Sequence, residues 1–297
     1  MIPPSTDTPP KTLKDAAKVI ETNLDKSLQA SALPPHIYEA AQYAVVNGGK
    51  RVRPALTLLC AQAVGGTQDQ AMAAAIAVEF IHCFSLVHDD LPAIDNDDLR
   101  RGKPTLHIHA GEAMAVLAGD LLLPLAFQEL SRGNYVPNQQ VLLMDELAQA
   151  TRDMVVGQVY DTLGGIPEEL SEQDALEVIH RNKTGALFKC ACVMGSICGQ
   201  ANPKMHHAIE QFGIATGLMF QIVDDLIDLN GVAEHVGKAT GKDAEAGKTT
   251  YPGLIGVEAS IEAVSMLKDQ ADDALSVLGE QGETLRSFNL WMAHRTR

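Results

Sequence analysis

The chain has 297 residues, 46% of them apolar and only 4% aromatic, which supplies an ample core and suits closely packed helices better than a β-sandwich rich in Tyr and Trp. A net charge of −15 without any long basic run argues against a nucleic-acid partner. The odd set Cys60, Cys83, Cys190, Cys192 and Cys198, with no Cys-x-x-Cys pair, indicates neither a disulfide framework nor a zinc ribbon, and a reducing, cytoplasmic setting is expected.

The first ten residues are rich in Pro, Ser and Thr and lack a signal-peptide core, so residues 1–12 are expected to form a loose leader to one domain spanning 1–297. Helical periodicity then covers 13–31 and 36–48, stops at Gly48-Gly49, and resumes over 54–64 after Lys50 and Arg53, which stand one helical turn apart. Gly65-Gly66 precedes a helix over 68–91 that must end near Pro92, because proline disfavours helical geometry in the residue before it. Further helices are expected at 111–131, 139–158, 170–198, 204–230 and 259–279, with a short one at 252–256, separated by Gly, Asn and Pro breaks. The most apolar stretch, 115–127, is interrupted by Asp120 and Pro124, so no membrane span is expected. No strand alternation competes, and the fold class is an all-α bundle. The segment 231–247, with glycines around Lys238 and Lys242, reads as a mobile lid.

Two acidic clusters carry the chemistry. Asp89 and Asp90 close the helix ending at Pro92, where the macrodipole disfavours negative charge, and Asp95, Asp97 and Asp98 follow in the turn. Asp224 and Asp228 are i, i+4 neighbours with Asp225 between them, so two carboxylates share one helix face and repel unless a cation joins them. Either cluster alone has a bland reading as solvated surface. Two of them, with Lys50, Arg51, Arg53, Arg100, Arg101, Lys183, Lys238 and Lys248 interspersed, describe a site for Mg²⁺ completed by phosphate oxygens. His82 lies about two turns before Asp89 and faces nearly the same side, although a histidine on an apolar helix is by default a core residue. His88-Asp89 also invites a His-Asp metallophosphohydrolase, but that reading needs further histidine ligands, for which His107, His109 and His180 could only be recruited ad hoc, and it leaves the second cluster and Lys183-Thr184 idle.

Several segments together resemble the trans-prenyltransferases, the isoprenyl diphosphate synthases, and most closely the bacterial farnesyl-forming members. They are Gly-Gly-Lys-Arg-Val-Arg-Pro at 48–54, His-Asp-Asp-Leu-Pro-Ala-Ile-Asp-Asn-Asp-Asp-Leu-Arg-Arg-Gly at 88–102, Lys-Thr-Gly-Ala at 183–186, Phe-Gln-Ile-Val-Asp-Asp-Leu-Ile-Asp at 220–228 and Gly-Lys-Thr-Thr-Tyr-Pro at 247–252. The resemblance implies a bundle of ten or more helices around a central cavity, usually as a homodimer. It implies three Mg²⁺ ions between Asp89, Asp90 and Asp95 on one side and Asp224, Asp225 and Asp228 on the other. Arg100, Lys183, Lys238 and Lys248 would hold the allylic diphosphate, dimethylallyl or geranyl, while Lys50, Arg53, His82 and Arg101 would hold isopentenyl diphosphate. Thr184 and Gln221 would turn oxygen dipoles towards the allylic carbons. A terpene cyclase shares the fold class but has no second co-substrate to occupy Lys50, Arg53 and Arg101.

Product length is expected to be C15, with geranyl or geranylgeranyl diphosphate as the alternatives, because the resemblance places a blocking aromatic at Phe84. A helical wheel puts Ser85 within about 40° of Asp89 and Phe84 about 140° away, so the plug at Phe84 rests on the resemblance rather than on periodicity.

Overall fold

The structure, a computed structural model, describes residues 8–230 and 249–295. Four central helices, α3 (Val52–Ala63), α4 (Gln68–Asp89), α9 (Ala186–Cys198) and α10 (Pro203–Asn230), pack against one another. They are central because they are apolar on most sides: every residue of α3 except Arg53 and Gln62 is buried, as are Leu187, Phe188 and most of the residues that follow them in α9. The outer helices carry a single apolar stripe. In α1 (Lys11–Ala30) it runs through Leu13, Ala16, Ile20, Leu24 and Leu28, the three- and four-residue spacing that turns one helix face to a core. α2 (Pro35–Val46), α6 (Glu112–Arg132), α7 (Pro137–Leu163) and α12 (Val257–Ala274) complete the wall, and one continuous cluster of buried side chains extends from Leu13 to Met292.

By length and composition α4 and α6 could each cross a bilayer, yet they pack on each other, and α4 also lies against α3 and α9, so its apolar character is that of a core helix. α4 starts at a capping box in which Gln70 N donates to Thr67 Oγ1 and Thr67 N donates to Gln70 Oε1. It ends at Asp89, three residues before Pro92.

The sequence expectations hold for most helices, with three differences. The stretch 170–198 is not one helix: α8 (Glu172–His180) passes through a π-helical turn, Arg181–Gly185, into α9. A tight antiparallel hairpin pairs Leu99–Arg100 with Lys103–Pro104, followed by the one-turn helix α5 (Leu106–Ala110). Beyond the short α11 (Tyr251–Ile255) and α12, a 3₁₀ segment, Leu275–Gly282, leads into α13 (Glu283–His294), which the sequence reading did not delimit. The expected lid at 231–247 lies outside the described residues.

A buried polar cluster ties α8, α10 and α11 together. Tyr251 donates its hydroxyl to Glu177 Oε1 (2.7 Å) and its backbone N–H to Asp225 Oδ2 (2.9 Å), and its ring stacks on His180 at 5.8 Å. His180 is 7% exposed, and burial lowers its pKa to about 4, so the fold holds the imidazole neutral. The unfolded chain binds a proton here near pH 6.5 and the folded chain only near 4, so stability from this residue is complete above 6.5 and is lost as pH falls towards 4. His180→Gln is expected to flatten that part of the curve, and the wild-type-minus-variant unfolding free energy should change by up to about 3 kcal/mol between pH 7 and 4 in urea titrations. A difference that does not vary with pH would show that His180 is not the responsible group.

Candidate active site

The acidic turn after α4 is a built structure. Asp95 N donates to the Asp89 carbonyl (2.8 Å), Asn96 N to the Leu91 carbonyl (3.1 Å) and Asp97 N to the Asp90 carbonyl (3.2 Å), so the chain folds back over the helix end and satisfies its last carbonyls. The neighbouring carboxylates then diverge. Asp90 is 3% exposed and is gripped by Arg100 through Nε (2.9 and 2.8 Å) and Nη2 (2.6 Å) in a fork, whereas Asp89 and Asp95 line a cavity of about 1570 Å³. The second cluster divides likewise. Asp224 and Asp228 line the cavity; Asp225, 4% exposed, accepts from Gln221 Nε2 (2.9 Å) and from the Tyr251 backbone.

Thr184 and Gln221 are joined to that anchor. Thr184 Oγ1 donates to Gln221 Oε1 (2.9 Å), and the amide must face this way round because the Asp225 carboxylate can only accept. Both residues line the cavity, as does Lys183, whose Nζ lies 2.5 Å from Asp161 Oδ2. Lys183 and Thr184 stand on the π turn, whose extra residue re-aims their side chains relative to α8; such turns recur at functional sites. Gly157 of α7 makes room, since a Cβ there would overlap the backbone of Asn182 and Lys183.

The basic side is organised around Arg51, whose backbone is left-handed (φ 50°) and whose guanidinium is buried, donating to Glu79 Oε1 (2.6 Å) and the Val45 carbonyl (2.6 Å). With Arg51 turned inward, Lys50 and Arg53 reach the cavity from either side of it. The Arg53 guanidinium lies 4.6 Å from the Phe188 ring and 5.7 Å from Phe220, and burial brings it down to about pKa 10. Lys50 Nζ sits 5.9 Å over Trp291. Arg101 and Gly102 take positive φ (55° and 74°) at the tip of the hairpin, the pattern of a two-residue turn whose twist suits paired strands, and the Arg101 Nη1 donates to the Gly48 carbonyl. His82 lines the same space; burial, then Arg53, Arg101, Arg100 and Arg51, hold its imidazole well below the usual 6.5.

Beneath the polar cavity an apolar one of about 400 Å³ is lined by Phe84, Ser85, Leu86, His88, Met154 and Val159, among others. Asp89, Lys183 and Thr184 line both cavities, so a chain entering the lower one hangs from a headgroup held in the upper one. Phe84 and Ser85 both line it: the wheel angle favours Ser85, but the length of the phenyl ring carries Phe84 to the same space.

All the sequence-predicted site residues among the described ones gather here; Lys238 and Lys248 lie outside the described residues. Sequence reasoning missed Glu79, Lys103, Asp161, the aromatics Phe188, Phe220 and Trp291, and Arg295, whose Nη2 lies 2.5 Å from Asp224 Oδ1 and whose guanidinium sits 4.3 Å from the Phe220 ring. No spacing rule joins residues so distant in sequence. Among the described residues no three potential ligands converge into a preformed metal cage. The donor set still fits a hard divalent cation. It is carboxylate oxygen throughout, and burial followed by repulsion from Asp95 pushes Asp89 up to about 6 in spite of Lys183, as expected of a carboxylate awaiting a counter-cation shared with phosphate.

A cavity lined by both carboxylates and basic side chains, with an apolar pocket adjoining it, suits an amphiphile with a polyanionic head. Comparison with known proteins gives the same class. The Polyprenyl synthetase family profile matches residues 34–279, and the chain belongs to that family. Two geranylgeranyl pyrophosphate synthases of Arabidopsis thaliana are 45% identical over 249 residues (82% of this chain, 70% of theirs) and 43% identical over 262 residues (87% and 70%). The apo structure of an FPP/GFPP synthase from Zymomonas mobilis superposes with a TM-score of 0.82 at 34% identity, covering 95% of this chain and 97% of that one. A geranylgeranyl pyrophosphate synthetase from Pyrococcus horikoshii superposes with 0.85 at 29% identity, with 95% and 97% covered. The protein is therefore a prenyltransferase with the fold of the isoprenyl diphosphate synthases.

Gly157→Ala should displace the π turn. We expect thermal stability to fall by about 1–3 kcal/mol, as for overpacked cores, and turnover to fall further than the residual folded fraction explains. Unchanged kinetics in the folded variant would show that the turn tolerates the methyl group.

Proposed function

We propose that this enzyme condenses isopentenyl diphosphate with allylic diphosphates and releases geranylgeranyl diphosphate, C20, as its main product. The observation that carries the reaction is the sharing of Asp89, Lys183 and Thr184 between the polar cavity and the apolar pocket, which sets the cleaved bond at the junction of the two. Support for C20 over the C15 expected from the sequence comes from the relatives, which carry the geranylgeranyl name at 43–45% identity. Phe84 in the pocket wall favours the C15 reading, but Val155, Val159 and Leu163 of the facing wall are 47%, 43% and 79% exposed, so the ring does not close the pocket on all sides.

In this reading Lys50, Arg53, Arg101 and neutral His82 hold the isopentenyl diphosphate. Lys183 leaves Asp161 to bind the allylic diphosphate, joined by Arg100, whose fork on Asp90 keeps the guanidinium at the cavity wall. Mg²⁺ held by Asp89, Asp95, Asp224 and Asp228 would supply the charge neutralisation that makes diphosphate a good leaving group. The allylic carbon–oxygen bond breaks, the isopentenyl double bond forms the new carbon–carbon bond, and the lost proton goes to the released diphosphate. Thr184 and Gln221, locked by Asp225, present fixed oxygens towards the developing positive charge without reorganising. A cytoplasmic setting is supported by five buried, unpaired cysteines, and a homodimer by the exposed apolar residues Val116, Leu117 and Val156 on α6 and α7.

Incubation with isopentenyl and dimethylallyl diphosphates and Mg²⁺, read by mass spectrometry, tests the reaction and the product together; absence of any elongated diphosphate would refute the assignment. Asp89→Ala should cost at least about 10²-fold in turnover at an unchanged melting temperature, and Asp224→Ala at least as much at a lowered one, because it also leaves the buried Arg295 guanidinium without its carboxylate. Phe84→Ala should lengthen the product, since the void it leaves lets further carbons be buried at about 0.8 kcal/mol per CH₂. A folded, active variant with the wild-type product would exclude Phe84 as a stop.

A further inference from the structure

Two imidazoles line the apolar pocket, His82 and His88, and the assigned chemistry uses only the first. His88 stands one turn after Phe84 on α4, lines the same pocket, and meets the phenyl ring edge-on at a centroid distance of 5.0 Å. Its other side is fixed by α6. Nε2 lies 3.1 Å from the Val116 carbonyl oxygen, an acceptor, so that nitrogen carries the proton; Asp120 Oδ1 is 3.9 Å away. The imidazole reaches that carbonyl because residue 119 is glycine: a Cβ there would overlap both Nε2 and Cδ2 of His88. The notch at Gly119 is thus filled by the imidazole, and the imidazole backs Phe84.

We infer that Gly119 and His88 are specificity-determining residues that set the depth of the product pocket, acting through the position of the imidazole against Phe84. The inference rests on the chain-elongating function proposed above. Helix α6 and Phe84 bound the imidazole on two sides, so a side chain at 119 drives it into the pocket it already lines and shortens the space for the growing chain. Loss of the imidazole does the opposite, because it removes both the ring and the support of Phe84. Neither residue is placed at the reacting atoms; they are positioning residues for a wall.

The test is the product distribution of purified enzyme with isopentenyl and dimethylallyl diphosphates, analysed by mass spectrometry alongside total turnover and melting temperature. Gly119→Ala is expected to raise the ratio of shorter to wild-type product by about tenfold, a coupling within the range for side chains in contact. His88→Ala is expected to add products at least one isoprene unit longer than the wild-type product. The double variant should follow His88→Ala, since the new methyl group then meets no ring. A change in general stability would move both single variants in the same direction, or alter rate without length. An unchanged distribution in active Gly119→Ala, or shortening that persists in the double variant, overturns the inference. If Gly119→Ala does not fold, an unchanged distribution in His88→Ala overturns it alone. Wild-type enzyme that makes no prenyl diphosphate at all refutes the proposed function itself, a result distinct from an active enzyme whose product length ignores residues 88 and 119.

Discussion

A cavity that gathers Asp89, Asp95, Asp224 and Asp228 near Lys50, Arg53 and Arg101 must neutralise from behind whatever charge it does not present to a ligand. Uncompensated charge in a water-poor interior costs several kcal/mol per ion, so each motif assigns one member to that task. Asp90 anchors Arg100, Asp225 anchors Gln221 and the Tyr251 backbone, and Arg51 anchors Glu79. Adjacent residues of like charge therefore have opposite duties. The motif spacing looks redundant in the sequence because one member of each motif is scaffolding.

The cations are steadied differently from the anions. Arg53 lies over Phe188 and Phe220, Arg295 over Phe220, and Lys50 over Trp291. An aromatic face attracts a cation without saturating its N–H donors, so a guanidinium resting on one keeps those donors for phosphate. Arg295 differs in that its Nη2 also donates to a carboxylate, that of Asp224. With only 4% aromatic residues in the chain, the placement of these three rings beside the basic groups is economical.

Much of this was legible in the sequence, for identifiable reasons. Proline at 92 and glycines at 48–49 punctuate the chain through local backbone sterics, and each acid cluster is compact in sequence, so most helix boundaries and both carboxylate clusters could be read directly. The π turn could not, because a single extra residue leaves no mark in a periodicity measured over several turns; the stretch read as one helix from 170 to 198. The hairpin at 99–104 was invisible because each of its strands has two residues, too few for alternation. Product length was the least legible feature. In the proposed reading it turns on which ring fills which notch across two helices, and Gly119 meets His88, one turn from Phe84, only through the packing of α4 on α6.

The contact between Arg295 and Asp224 has a bearing on how the molecule comes into being. The partners are 71 residues apart in the chain, so at a synthesis rate of about 5–20 residues per second the second acidic cluster leaves the ribosome roughly 4 to 14 s before the guanidinium that covers it. During that interval Asp224 has neither Arg295 nor the α13 surface that carries Trp291 beneath Lys50. The nascent bundle must therefore collapse around its apolar helices first, with the charged mouth of the cavity balanced only as the final helix docks.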